Sequence, residues 1–132
     1  MEPYVVMLRT DPDDRDITEE MLGSTGNKVK MKFVGDRSEL SALMASSGEP
    51  ALILLNDKGA AHAGYEQLRQ LKSDPASAHI PVILLGEIST REYIQECYRA
   101  GANSFIIKPS SLAATKKKIE GFFDYWFNVA ET

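Results

Sequence analysis

The chain predicts an α/β sandwich, a five-stranded parallel sheet flanked by five helices. Three observations predict it. Short apolar runs alternate with helix-period segments along the whole length, the pattern of strand–helix–strand units with right-handed crossovers. The runs at residues 51–55 and 82–85 are continuously apolar, as strands covered on both faces are. No long linker, low-complexity tract or internal repeat breaks the alternation, so residues 1–132 read as one domain.

Taken in order, Tyr4–Leu8 is rich in β-formers and supplies the first strand. Asp11-Pro12-Asp13-Asp14 is a helix-start signal with acids suited to the first turn. Ile17, Met21 and Leu22 then share a helical face, and Gly23 and Gly26 end that helix. Val29, Met31 and Phe33 alternate with Lys28, Lys30 and Lys32, which predicts a strand with one wet face at a sheet edge. Leu40, Leu43 and Met44 mark a second helix, and Tyr65, Leu68 and Leu71 a third. Ile94, Cys97 and Tyr98 form the face of a fourth helix, ended by Gly101. Ser104–Ile107 is the fifth strand, and the last helix runs from 112 to about 130. In a sheet of this kind ligands bind beyond the carboxyl ends of the strands, so the residues at those ends carry the functional question.

Composition narrows the classes. Hydrophobic residues at 43% and charged residues at 26% are an ordinary globular balance. A net charge of −4 gives no electrostatic case for nucleic acid or an anionic membrane. Apolar runs such as Pro81-Val82-Ile83-Leu84-Leu85 are far too short to span a bilayer, and Met1-Glu2-Pro3-Tyr4 shows no signal-peptide pattern. The lone Cys97 excludes an intrachain disulfide and fits a reducing cytoplasm. It lies on an apolar helical face and reads as an inert buried thiol. His62 and His79 stand in separate loops without companion ligands, so no metal site is expected from them. Lys116-Lys117-Lys118 reads as a solvated helix face.

Three stretches carry a resemblance: Leu52-Ile53-Leu54-Leu55, His79-Ile80-Pro81-Val82-Ile83-Leu84-Leu85, and Gly101-Ala102-Asn103-Ser104-Phe105-Ile106-Ile107-Lys108-Pro109. They resemble the receiver domains of response regulators, the CheY-like family. The resemblance implies the strand order 2-1-3-4-5 and a two-component signalling role. Leu71-Lys72-Ser73-Asp74-Pro75 and Phe122-Phe123-Asp124-Tyr125-Trp126-Phe127 look most like the small stand-alone receivers that partner phytochrome-type histidine kinases.

Receivers need five chemical parts. An aspartate attacks phosphorus, and a pair of acids joins it in holding Mg²⁺. The metal and a lysine neutralise developing charge. A Ser or Thr hydroxyl then binds the phosphate, and an aromatic residue on the fifth strand moves with it. Here the resemblance puts Lys108 on the lysine position and Phe105 on the switch aromatic. Asn56 replaces the acceptor, and its amide is a poor nucleophile that forms no acyl phosphate. Arg9-Thr10 stands where the acidic pair belongs, Asp11 is the one nearby acid, and Gly86 takes the hydroxyl position. Arg9 is a permanent cation suited to pair with Asp11 in the metal's place. Loss of Mg²⁺ binding is therefore expected, and Lys108 is expected to hold the old site's shape.

The leading expectation is a non-enzymatic pseudo-receiver, an interaction module for a sensor histidine kinase or another signalling protein. Two alternatives stand beside it. One is a working receiver that accepts phosphate through Asp57, although successive strand residues face opposite ways and Asp57 should not inherit the position. The other is an unrelated flavodoxin-like ligand binder, against which the absence of a Gly-rich loop after the first strand counts. The last helix adds a surface signal: Ile119, Phe122, Phe123, Trp126, Phe127 and Val129 occupy more than one face. One stripe must cover the sheet, and Phe122, Phe123, Trp126 and Phe127 are expected to leave an interface for a homodimer. Alanine at Trp126 and Phe127 is expected to give a folded monomer.

Overall fold

The strands stack as parallel neighbours in the order β2-β1-β3-β4-β5, with β1 at Tyr4–Leu8, β2 at Lys30–Val34, β3 at Leu52–Asp57, β4 at Val82–Gly86 and β5 at Ser104–Ile107. This is the predicted sheet and the predicted order. The computed structural model describes residues 4–8, 30–57, 63–86, 90–107 and 112–128. Four helices lie among the described residues: α1 (Arg37–Ser47), α2 (Ala63–Ser73), α3 (Arg91–Arg99) and α4 (Leu112–Asn128). The helix expected after Asp11 falls outside them.

The period of two along each strand sorts the core into two clusters, one per sheet face. Val6, Leu8, Ile53, Leu55 and Leu84 meet Leu40 of α1, Leu68 and Leu71 of α2, and Tyr93 and Cys97 of α3. Val5, Met7, Leu54, Ile83, Leu85 and Ile106 form the other cluster, against which Phe122 and Trp126 of α4 pack. The three inner strands bury apolar residues on both sides, which is why their sequences run without polar alternation. Cys97 is fully buried, as its helical face implied.

Local chemistry sets the helix ends. Asp36 is the N-cap of α1 and accepts from the Glu39 N–H at 2.9 Å, while the Glu39 carboxylate reaches back to the Gly35 N–H. Thr90 caps α3 through the Tyr93 N–H. Past the end of α3, Gly101 takes φ +111°, a backbone state that L side chains rarely adopt. Its Cα faces the stem of Lys72, whose Cγ would lie 3.1 Å from an added Cβ. The Lys72 ammonium donates to the Ala78 and Ile80 carbonyls at 3.2 and 2.9 Å, and burial lowers its pKa from the ordinary lysine value. Ser77 is buried and donates to the Leu71 carbonyl. The stretch 71–80 is thus a stitched connection between α2 and β4.

The edge position of β2 is as predicted, but its wet face is less wet than the lysine alternation implies. Lys30 is exposed, whereas Lys32 is half-covered. Its ammonium sits 5.0 Å from the centre of the Tyr4 ring and donates to Ser47 Oγ. A lysine stem covers apolar surface while its head stays polar, and alternation alone does not register that. The Tyr4 hydroxyl donates to the Gly48 carbonyl, and burial, with a contribution from the Glu49 carboxylate, raises its pKa.

Candidate functional site

The strand carboxyl ends bring positions 56 and 86 close to one another. Asn56 is the penultimate residue of β3 and pairs with Leu85, and Asp57 pairs with Gly86 at the end of β4. Asn56 is 2% exposed, one of the two buried polar side chains among the described residues. Gly86 is buried as well and offers no side-chain oxygen. At these two positions the site therefore presents a neutral amide and a bare backbone, with neither carboxylate nor hydroxyl. Arg9, Thr10, Asp11 and Lys108 lie outside the described residues, and for Asp57 only the backbone pairing is described. Among the described residues no three His, Cys, Asp or Glu gather as metal ligands.

Phe105, the expected switch aromatic, is half-buried and packs against the α1–α3 face of the core. Its ring meets Tyr93 edge-on, with centroids 6.1 Å apart and an interplanar angle of 88°. Two tyrosine hydroxyls of α3 frame it. Tyr98 accepts from the Phe105 N–H at 3.0 Å, and Tyr93 accepts from the Tyr65 N–H at 3.1 Å, near the start of α2. Sequence reasoning placed Phe105 and Tyr98 on their elements but missed both hydroxyl bonds. They join residues 7 and 28 positions apart, and no local pattern signals them.

The aromatic residues of α4 divide by role. Phe122 and Trp126 stack at 5.9 Å, and their packing on the second core face makes them the stripe that covers the sheet. Trp126 is half-buried, so its removal would cost packing on the sheet as well as any interface surface. The folded monomer expected of alanine at Trp126 and Phe127 thus concerns one side chain that packs on the sheet and one that lies outside the described residues. The side chains of Phe123 and Phe127 lie outside the described residues. Among the described side chains of this helix, Tyr125 is the exposed large ring, at 56%.

Comparison with known proteins agrees with the geometry. The chain is 33% identical over 61 residues to chemotaxis protein CheY-3 of Vibrio cholerae, covering 46% of this chain and 47% of that one. It is 29% identical over 113 residues to the two-component response regulator ARR7 of Arabidopsis thaliana, covering 79% of this chain and 54% of that one. The matched parts thus span about half the length of these curated relatives. Among solved structures, the phosphorylated cyanobacterial phytochrome response regulator RcpA superposes with a TM-score of 0.84 at 24% identity, covering 99% of this chain and 98% of that one. At that identity the likeness speaks for the fold. No helix among the described residues is long and apolar enough to cross a membrane. The response regulator receiver domain matches residues 5–120, nearly the whole of the sheet and helices just described, and the chain belongs to that family.

Proposed function

We propose that this chain is a pseudo-receiver: a two-component signalling module that docks a protein partner without being phosphorylated. The observation that carries the reading is the buried Asn56 near the carboxyl end of β3, where a receiver needs its nucleophilic carboxylate. Gly86 supports it, since a glycine brings no hydroxyl to a phosphate. The donor set also fits Mg²⁺ poorly. Hard divalent cations take carboxylate oxygens, and the sequence offers a neutral amide at 56 and Arg9-Thr10 after the first strand. Strand alternation assigns position 57 to the face opposite position 56, which argues against Asp57 as a substitute acceptor. Family membership replaces the alternative of an unrelated flavodoxin-like ligand binder. A sensor histidine kinase is the partner class that receivers suggest, and the fold shared with RcpA makes a phytochrome-type kinase the first to try.

The test is intact-mass spectrometry after incubation with acetyl phosphate and Mg²⁺, beside a phosphorylating receiver as control. The expected result is no added phosphoryl mass in this chain and a clear adduct in the control. A single adduct lost in Asp57→Ala would replace the pseudo-receiver with a receiver of unorthodox acceptor.

Self-pairing through α4 is part of the same proposal. Tyr125 is the exposed ring through which a second copy would be met. Sedimentation equilibrium is expected to show dimers that Tyr125→Glu reduces to folded monomers. A wild-type chain that stays monomeric at high concentration sinks this part of the proposal.

A further inference from the structure

We infer that the groove between α2 and α3 is a docking site for an acidic, extended peptide segment of a partner protein. The groove has a volume of about 470 Å³ and is lined by Tyr65, Arg69 and Lys72 from α2 and by Glu96 and Arg99 from α3. A second depression of about 350 Å³ shares Arg69 and adds Arg37 at the start of α1. The two form an elongated surface carrying three guanidinium groups and one ammonium. None of the three arginines makes an ion pair with another described residue. Lys72 also lines the groove, with its ammonium held by the Ala78 and Ile80 carbonyls. Arg69 lies over the Tyr65 ring, its guanidinium carbon 5.9 Å from the centroid, which steadies its planar donor fork.

The four cations stand beside Glu66, Asp74 and Glu96, and the excess of positive charge falls on the α2–α3 groove, where Arg69, Lys72 and Arg99 face one carboxylate on a chain of net charge −4. Part of it has a structural use, because Lys72 and Arg99 sit in the last turns of their helices and offset the helix dipoles. That use does not extend to Arg69 or Arg37, and among the described residues no carboxylate pairs with the guanidinium forks. Arginine forks pair bidentately with carboxylates and phosphates. The shape selects between those sources. An open trough with guanidiniums from three helices is longer than a single small anion needs, and it would leave such an anion solvated. Nucleic acid is disfavoured because Glu66, Asp74 and Glu96 line the same two depressions and would repel a continuous phosphate backbone. A peptide with spaced carboxylates can meet the arginines and pass the acids. Lys72, Glu96 and Arg99 lie in the later turns of α2 and α3, which lead into the amino ends of β4 and β5, and neither Asn56 nor Gly86 lines either depression. Docking here is therefore independent of the chemistry at position 56, and it stands whether or not the chain accepts phosphate.

The experiment is a fluorescence-anisotropy titration of the full chain against a labelled peptide of alternating glutamate and serine. Saturable binding that weakens with salt is expected. Arg69→Gln and Arg99→Gln should each weaken it about tenfold, the loss of one charge-assisted pair. Glu96→Gln should tighten it, and Arg91→Gln, an exposed arginine at the far end of α3, should leave it unchanged. Thermal unfolding of each variant checks that the fold is intact. Absence of saturable binding overturns the proposal. So does an equal loss in Arg91→Gln, which would indicate charge attraction without a site. A labelled single-stranded oligonucleotide that binds more tightly than the peptide, or displacement of the peptide by equimolar inorganic phosphate, overturns the choice of occupant and with it the proposal.

Discussion

Replacing Leu55 with alanine is expected to remove about 3–4 kcal/mol of unfolding free energy, in the middle of the range for deleted core leucines. The position explains the size. Leu55 is fully buried in the central strand, paired with Leu8 on one side and Leu84 on the other. Its side chain belongs to the cluster shared by α1, α2 and α3, so no single helix can shift to refill the space without opening the others. The cavity that remains adds its own cost to the lost transfer free energy. Domains of this size have a total stability of about 5–15 kcal/mol, so a large share would go. Urea unfolding followed by circular dichroism should show a lower midpoint with an unchanged slope. A loss below about 1 kcal/mol would mean that the helices reseat freely, contrary to a core closed from three sides.

Gly101→Ala is expected to cost about 2–4 kcal/mol, an unusual penalty for one methyl group at an exposed site. Two causes add. At φ +111° an alanine is strained by about 1–3 kcal/mol wherever it points. Its Cβ would also meet Lys72 Cγ at 3.1 Å and Cδ at 3.3 Å. Lys72 has little room to yield, because its ammonium is tied to the Ala78 and Ile80 carbonyls. A double-mutant cycle separates the causes. In a Lys72→Ala background the steric part should vanish while the backbone part remains. If Gly101→Ala costs the same in both backgrounds, the contact with Lys72 contributes nothing.

The sheet was largely legible because its strands announce themselves. The continuous apolar runs of β3 and β4 read as buried strands, and the lysine alternation of β2 read as an edge. Gly101 read correctly as the end of α3 because a helix stop with positive φ selects glycine. What stayed hidden depends on side chains meeting across distant segments. Nothing near Lys32 in sequence tells that its stem lies along Tyr4, and nothing near Trp126 tells which of its faces meets the sheet. The cationic groove was invisible for the same reason. Arg69 and Arg99 are thirty positions apart and become neighbours only when α2 and α3 pack side by side. At the strand ends, the place of Asn56 followed from the length of the apolar run before it, and its burial agrees. The expectations for Arg9, Thr10, Asp11 and Lys108 fall outside the described residues.

The stacking of Trp126 on Phe122 has an optical consequence. Trp126 is the chain's single tryptophan, and it reports from one side of the sheet. Tyr4 and Tyr93 belong to the opposite side. Indole emission therefore follows the α4 layer, while near-ultraviolet dichroism draws on the buried Tyr4 and Tyr93 of the opposite layer, with the exposed Tyr125 the tyrosine that shares α4. If α4 lifts before the rest unfolds, the indole signal will move first and the two curves will part. Coincident curves will mean that both layers melt as one cooperative unit. The protein thus carries its own pair of internal labels, and ligand- or partner-induced loosening of either layer can be followed without attaching a dye.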